Sequence, residues 1–308
     1  MTIALTNTKT QKLGQSSIWV SSLAYGLWRF AGTDVQTATK KIETALDVGI
    51  TFFDQADIYG CDGGGSFVDS EKLLGEVLRA NPSLRDQMVI ATKGGIVLGT
   101  PYDSSASYLK TAVENSLMRM GIDHIDLYQI HRPDFLAHPA EIASVLTKLR
   151  EEGKIREIGV SNYTPSQFSA LQSYLDFPIL TRQPEFSCWK HEPLRNGILD
   201  QCLEYRTTPL AWSPLAGGAL MMSVEKARSE NKNLANLLEK LDQIAEQQSV
   251  SRTAVALAWI MRHPSQIIPI IGTQTPSRIR ESVQALQVTL TRSDWNSILV
   301  AAQGYPLP

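Results

Sequence analysis

Four side chains with complementary chemistry close or follow short apolar runs in the first half of the chain. Asp54 ends the run Thr51-Phe52-Phe53-Asp54, and Tyr59 follows it within one turn. Lys93 ends Met88–Lys93, and His131 ends Ile125–His131. Singly, each has an ordinary reading: a turn-forming Asp, a solvated Lys, a satisfied core His. Together they aim a carboxylate, an ammonium and an imidazole at one place. Strand alternation puts His131 on the face of Leu127 and Gln129, so Asp54, Lys93 and His131 are expected at one height on neighbouring strands. A phenol ionises near pH ~10. A lysine beside Tyr59 lowers that value, and Asp54 holds the lysine in place. The Tyr59 hydroxyl is then poised to give a proton to a developing alkoxide. His131 is a second donor for orienting the carbonyl oxygen. The set contains no activated Ser or Cys, no cluster at metal-ligand spacing and no glycosidase-like carboxylate pair. It suits carbonyl protonation coupled to an outside reductant, and no metal is expected.

These residues need a scaffold that brings strand ends together. Strands are expected at Ser22–Gly26, Thr51–Gln55, Met88–Lys93, Ile125–His131, Ile155–Ser161, Ile179–Gln183, Pro209–Ser213 and Ile267–Ile271. Helical patterns alternate with them: Val35–Val48, Val68–Ala80, Ala106–Met120, Pro139–Glu152, Pro165–Tyr174, Leu194–Tyr205, Leu234–Gln248 with Arg252–Arg262, and Pro276–Leu286. Alternation of this kind means parallel crossovers. At roughly 38 residues per unit it fits a (β/α)8 TIM barrel. An open doubly wound sheet is the alternative, but its G-x-G-x-x-G opener is missing. Asp34, Thr164 with Pro165, and Thr275 with Pro276 read as helix starts. Gly49, Gly121 and Gly153 read as helix ends.

The whole chain, residues 1–308, is expected to be one barrel domain, with a polar segment 1–20 capping it. Long connections stand at Gly60–Ser70, Pro184–Pro193 and Pro214–Asn233. The last, at 214–233, opens with Gly217-Gly218 and is expected to cover a cofactor. Composition narrows the remaining classes. The 308 residues are 43% apolar and 19% charged, with a formal charge of -2. No basic stripe marks a nucleic-acid partner. Cys61, Cys188 and Cys202 form no zinc or redox spacing. The N-terminus has no apolar signal-peptide core, and no apolar run approaches the ~18 residues that span a membrane. A cytoplasmic protein with a small-molecule partner and no membrane is expected.

Several longer stretches are similar to one family. Gly49–Gly60 resembles the D-x-A-x-x-Y-G signature of the aldo-keto reductase superfamily. Met118 and Met120 leading into Ile125–His131 resemble its D-L-x-x-I-H segment, and Lys154–Tyr163 resembles its G-K-I-R-x-I-G-V-S-N strand. Tyr25–Arg29 and Ala211–Gly218 lean towards the bacterial YdhF-type branch. The resemblance implies a catalytic tetrad of Asp54, Tyr59, Lys93 and His131, and NADPH lying across the barrel mouth. It places Ser161, Asn162 and Gln183 at the nicotinamide carboxamide and stacks Trp212 on the nicotinamide. Gly26, Leu27 and Trp28 would border cofactor and substrate, and Ser213, Leu215 and Gly217 the pyrophosphate. Gly272, Thr273, Gln274, Arg278, Glu281 and Ser282 would surround the adenosine 2′-phosphate. Arg278, in the first turn of a helix starting at Thr275-Pro276, is the cation for that phosphate. Members commonly carry a cation near Gly272, which this chain lacks, so a clear but not extreme preference for NADPH over NADH is expected. The short tail after Ala302 argues against steroid-type specificity.

The implied activity is NADPH-dependent reduction of aldehydes or ketones. The alternative is a nicotinamide-sensing regulatory subunit on the same barrel. Trp28, Phe30, Tyr102, Phe135, Trp189 and Tyr305 are candidates for an apolar wall around a small or aromatic carbonyl.

Overall fold

The computed structural model describes residues 9–307; of the expected N-terminal segment, residues 1–8 lie outside the described residues. A short hairpin comes first, β1 (Thr10–Lys12) antiparallel to β2 (Trp19–Ser21). The barrel strands follow: β3 (Ala24–Gly26), β4 (Phe52–Asp54), β5 (Val89–Gly94), β6 (Ile125–Ile130), β7 (Ile155–Ser161), β8 (Thr181–Gln183), β9 (Thr208–Ala211) and β10 (Ile268–Ile271). They close in the order β10-β3-β4-β5-β6-β7-β8-β9, each pair parallel.

Parallel strands covered on both faces must be apolar on both, so they read as unbroken runs. β6 is buried at every position. Phe52, Ala91, Leu127, Leu210 and Ile268 fill the interior, joined by Leu13, Ile18 and Val20 from the hairpin. The hairpin therefore inserts side chains among the barrel's own interior residues. Outward-facing Tyr25, Phe53, Ile90, Tyr128 and Ile158 pack in the layer between sheet and helices. A fully buried side chain of this size contributes ~1.5–3 kcal/mol.

The helices are α1 (Val35–Asp47), α2 (Asp69–Ala80), α3 (Ala106–Met120), α4 (Pro139–Glu151), α5 (Pro165–Gln172), α6 (Ile198–Tyr205), α7 (Val224–Glu230), α8 (Lys232–Gln248), α9 (Arg252–Met261), α10 (Pro276–Ser282) and α11 (Arg292–Gln303). Asp34 caps α1, accepting from the Thr37 N–H at 2.9 Å. Thr164 and Gln167 form a capping box on α5. Gly121 ends α3 in the left-handed conformation (φ 65°), which glycine adopts without a Cβ penalty.

Two helices are absent from the sequence expectations, α7 and α11. In α11, Trp295, Ile298, Leu299 and Ala302 keep a helical spacing, and the helix packs on α8. Trp295 stacks on Trp259 of α9, ring centroids 4.6 Å apart and 9° from parallel. Each indole N–H donates to the other residue's backbone carbonyl at 3.0 Å. No helix among the described residues is long and apolar enough to cross a membrane.

Candidate active site

Asp54 ends β4 and Lys93 is the penultimate residue of β5. They are not level. Asp54 is registered with Ala91, and Lys93 with Gln129, two residues before His131. Each neighbour along the wall is thus displaced by two residues. The displacement corrects the expectation of equal height, and it follows from the stagger that closing a barrel imposes. Two-residue steps keep all three side chains pointing inward.

The Lys93 ammonium lies 2.6 Å from Asp54 Oδ2 and 2.8 Å from the Gln55 carbonyl oxygen. It also sits 4.9 Å from the Tyr59 ring centroid. Asp54 is held on its other oxygen, Oδ1, by the Gln183 amide at 2.9 Å and the Gln129 amide at 3.3 Å. His131 meets the Tyr59 ring edge-to-face with centroids 5.8 Å apart. The four side chains proposed from strand-end chemistry therefore converge.

Burial raises the Tyr59 phenol above its ordinary value, and the Lys93 charge pulls it back only in part. The expected lowering by lysine exists as a pull but does not win. Tyr59 accordingly holds its proton at neutral pH, as a proton donor must. Burial works against the Lys93 ammonium, yet Asp54 and Tyr59 together carry its pKa above the usual lysine value. His131 is driven well below the ordinary histidine range by burial, then by Lys93 and Arg132, so it is a neutral imidazole. Its Nδ1 is buried without a partner among the described residues.

The opposite wall carries Ser161, Asn162, Gln183 and Trp212. Ser161 is registered with Gln183 across β7 and β8. Asn162 stands in the left-handed conformation (φ 57°), where Asn is tolerated. Its Nδ2 donates to Ser161 Oγ at 2.7 Å, and its Oδ1 accepts the Trp212 indole N–H at 3.0 Å. Gly26 is registered with Asp54. Leu27 is fully buried in the outer core, whereas Trp28 is 45% exposed.

The stretch 213–218 turns through four left-handed residues, Ser213, Ala216, Gly217 and Gly218. Ser213 Oγ accepts the Gly217 N–H at 2.7 Å, while Leu215 packs on the core. Among the described residues, a methyl at Gly217, Gly218 or Gly272 would meet nothing within 4 Å. Open backbone of this kind fits the pyrophosphate and phosphates of a dinucleotide. The rest of 214–233 is not slack. It holds α7, and Arg252 donates to the Leu220 and Met222 carbonyls at 3.2 and 2.8 Å.

Around the start of α10 the placements divide. Arg278 is exposed, and Thr273 Oγ1 accepts the Thr275 N–H at 3.3 Å. Gln274 turns inward, where its Oε1 accepts from Lys41 of α1 at 3.2 Å. Glu281 is partly exposed, and buried Ser282 gives its hydroxyl to the Ile279 carbonyl at 2.7 Å. Among the aromatic candidates for the wall, Phe30 is fully buried in the outer core and is thereby excluded, while Tyr102 and Phe135 are exposed.

Two residues near the tetrad were not among the expected site residues. Alternation placed Gln129 on the inward face with His131, but gave no sign of its bond to Asp54. Arg132 had no such signal, since a residue after a strand end has no fixed direction. Its Nη1 donates to the His131 carbonyl at 3.2 Å, and its guanidinium carbon lies 5.8 Å from the Trp212 ring centroid.

Comparison with known proteins matches residues 22–301 to the profile described as "Aldo/keto reductase family". The chain is 49% identical over 300 residues to a protein named 6-dehydroglucose reductase from Novosphingobium aromaticivorans, covering 97% of each chain. It is 37% identical to oxidoreductase YdhF of Escherichia coli, covering 94% of this chain and 95% of that one. A solved structure of the thermostable aldo-keto reductase Tm1743 superposes with a TM-score of 0.81 at 24% identity, covering 96% of this chain and 100% of that chain.

Proposed function

Since the chain belongs to the aldo/keto reductase family, we propose that it uses NADPH to reduce an aldehyde or ketone to the alcohol, with Tyr59 as the proton donor. The observation that carries this reading is the buried Lys93–Asp54 pair at 2.6 Å beside the Tyr59 ring. NADPH bound across the mouth would supply the hydride. Ser161, Asn162 and Gln183 would hold the carboxamide, Trp212 would stack on the nicotinamide, and the 213–218 backbone would receive the pyrophosphate.

The chain's own residues do the rest. The neutral His131 ring orients the carbonyl oxygen towards the Tyr59 hydroxyl. As negative charge grows on that oxygen, Tyr59 passes its proton to it and becomes tyrosinate. Lys93 stabilises that anion in a site shielded from water, where a fixed charge is worth more than in bulk solvent. Asp54, itself fastened by Gln129 and Gln183, keeps Lys93 in place. One hydride and one proton together convert the carbonyl to the alcohol.

The relative at 49% identity is named for a sugar aldehyde, and this chain's mouth carries Arg132 and Asn162 alongside the exposed Trp28 and Tyr102. We therefore favour a polyhydroxylated aldehyde over a purely apolar one. The test is NADPH oxidation by the purified protein with 6-dehydroglucose, glyceraldehyde and benzaldehyde in parallel. Faster turnover of the hydroxylated pair is expected. Failure of all three to oxidise NADPH would overturn the reductase reading.

A further inference from the structure

Between Asp54 and Tyr59 the chain makes a turn, and one residue of that turn ties it to two other elements. The Asp57 amide N–H donates to the Lys93 carbonyl at 3.0 Å. Its side chain faces the other way, where the Tyr108 hydroxyl of α3 donates to Asp57 Oδ2 at 3.0 Å. The Gly95 N–H reaches the Tyr108 oxygen at 3.5 Å. Asp57 thus links the Tyr59 turn to the end of β5 and to α3.

The carboxyl is poorly placed for a charge. Asp57 is 8% exposed, and its Oδ1 has no partner among the described residues. The Tyr128 hydroxyl of β6 is likewise buried and unpartnered. Gly94 is what lets these groups approach the strand. A methyl there would collide with the Tyr128 hydroxyl and stand 3.2 Å from Asp57 Oδ2.

We propose that Asp57 is a positioning residue for Tyr59, clamping its turn onto β5 and α3, and that the clamp holds while the Asp57 carboxyl carries a proton. The link to catalysis rests on the reductase reading above; the proton rests on the burial of the carboxyl and the charges around it. The groups facing Asp57 are Glu71 from α2, Tyr108 and Arg119 from α3, Tyr128 from β6, and the Lys93 carbonyl from β5. The nearby cation is already committed, because Arg119 Nε donates to Glu71 Oε2 at 2.7 Å. Glu71 Oε1 accepts from the Thr92 hydroxyl at 2.6 Å. Burial, reinforced by the Glu71 charge, pushes the Asp57 carboxyl up to about 7. Losing the proton would leave a buried carboxylate behind the Tyr59 turn with Tyr108 on one oxygen and no partner among the described residues on the other, and such a group draws in water or moves towards it.

The sign of the stability effect follows from linkage. A carboxyl that keeps its proton to higher pH when folded stabilises fully below about pH 4, its unfolded value. That contribution is lost progressively as pH rises to about 7 and changes no further above it. Asp57→Asn keeps the shape and stays neutral at every pH. Melting curves of parent and Asn variant, without cofactor or substrate, should therefore show a difference favouring Asn that grows between these limits and then levels.

The kinetic arm uses the pH dependence of kcat for NADPH-driven aldehyde reduction. The parent should lose about tenfold per unit above pH 7, a one-proton limb. The Asn variant should lack that limb. Tyr108→Phe removes both the tie to α3 and a donor that favours the ionised carboxyl, so kcat should fall at every pH and the limb should move up by about one unit. A melting difference that is flat with pH, or an identical kcat limb in parent and Asn variant, would overturn the proposal. Because the melting series needs no turnover, it tests the proton on Asp57 whether or not the reductase reading survives.

Discussion

Lys93 Nζ and Asp54 Oδ2 lie 2.6 Å apart, with side-chain exposures of 0% and 4%. An ion pair so deeply buried rarely adds net stability, because desolvating both charges offsets their attraction. Its value lies in pre-orienting a cation towards Tyr59. Removing one partner also strands the other charge, at a cost of ~3–5 kcal/mol. Lys93→Met should abolish reduction, and Asp54→Asn, which keeps the side chain's shape and one oxygen to accept from Lys93, should weaken it less. The double variant should lose far less than the two single losses multiplied. Steady-state kinetics of the four-member cycle check this, and full additivity would assign the two residues separate tasks.

Tyr59→Phe deletes only the hydroxyl and leaves the edge-to-face contact with His131. General acid catalysis is worth ~10²–10⁴-fold, so kcat should fall by at least the lower figure. NADPH affinity, measured by quenching of protein fluorescence, should stay where it was. A variant with near-parental turnover would remove Tyr59 from the chemistry.

Arg278→Ala should discriminate between the two nicotinamide cofactors. A charge-assisted hydrogen bond contributes ~1.5–3 kcal/mol, which converts to ~10–150-fold in Kd. That loss is expected for NADPH and not for NADH. Calorimetric titration of both cofactors into parent and variant decides it. Equal weakening, or a parent that binds NADH more tightly, would refute the assignment of Arg278 to the 2′-phosphate.

Cofactor binding should slow hydrogen exchange in a narrow part of the 214–233 connection. The structure anchors its later part through Arg252 and α7, so the response is expected in 213–218, a turn of four left-handed residues in which the Ala216, Gly217 and Gly218 amides bond only within the turn itself. Exchange measured by mass spectrometry with and without NADPH checks this. An unchanged rate in 213–218 would eliminate the cofactor-covering role.

The barrel was legible because its strands are apolar on both faces and its helices carry ordinary caps, as at Asp34 and Thr164. The tetrad was legible because each member ends or follows an apolar run, where a strand's inward positions reach the mouth. The hairpin was not: Thr10–Lys12 and Trp19–Ser21 are three residues each, too short for alternation to declare itself. Helix α7 offers only Val224 and Ala227 as apolar positions, which gives no period. Gln183 holding Asp54 across the barrel was also hidden, since residues 129 apart in sequence meet only through closure of the sheet.

The Trp259–Trp295 stack gives the chain an internal optical gauge. Two nearly parallel indoles 4.6 Å apart lie close enough for their excited states to couple, so each ring's absorption is sensitive to the other. The coupling exists only while the last helix rests on α9. A change in near-ultraviolet indole absorption or dichroism while far-ultraviolet helicity persists would mark the moment when α11 leaves α9 on an otherwise intact barrel.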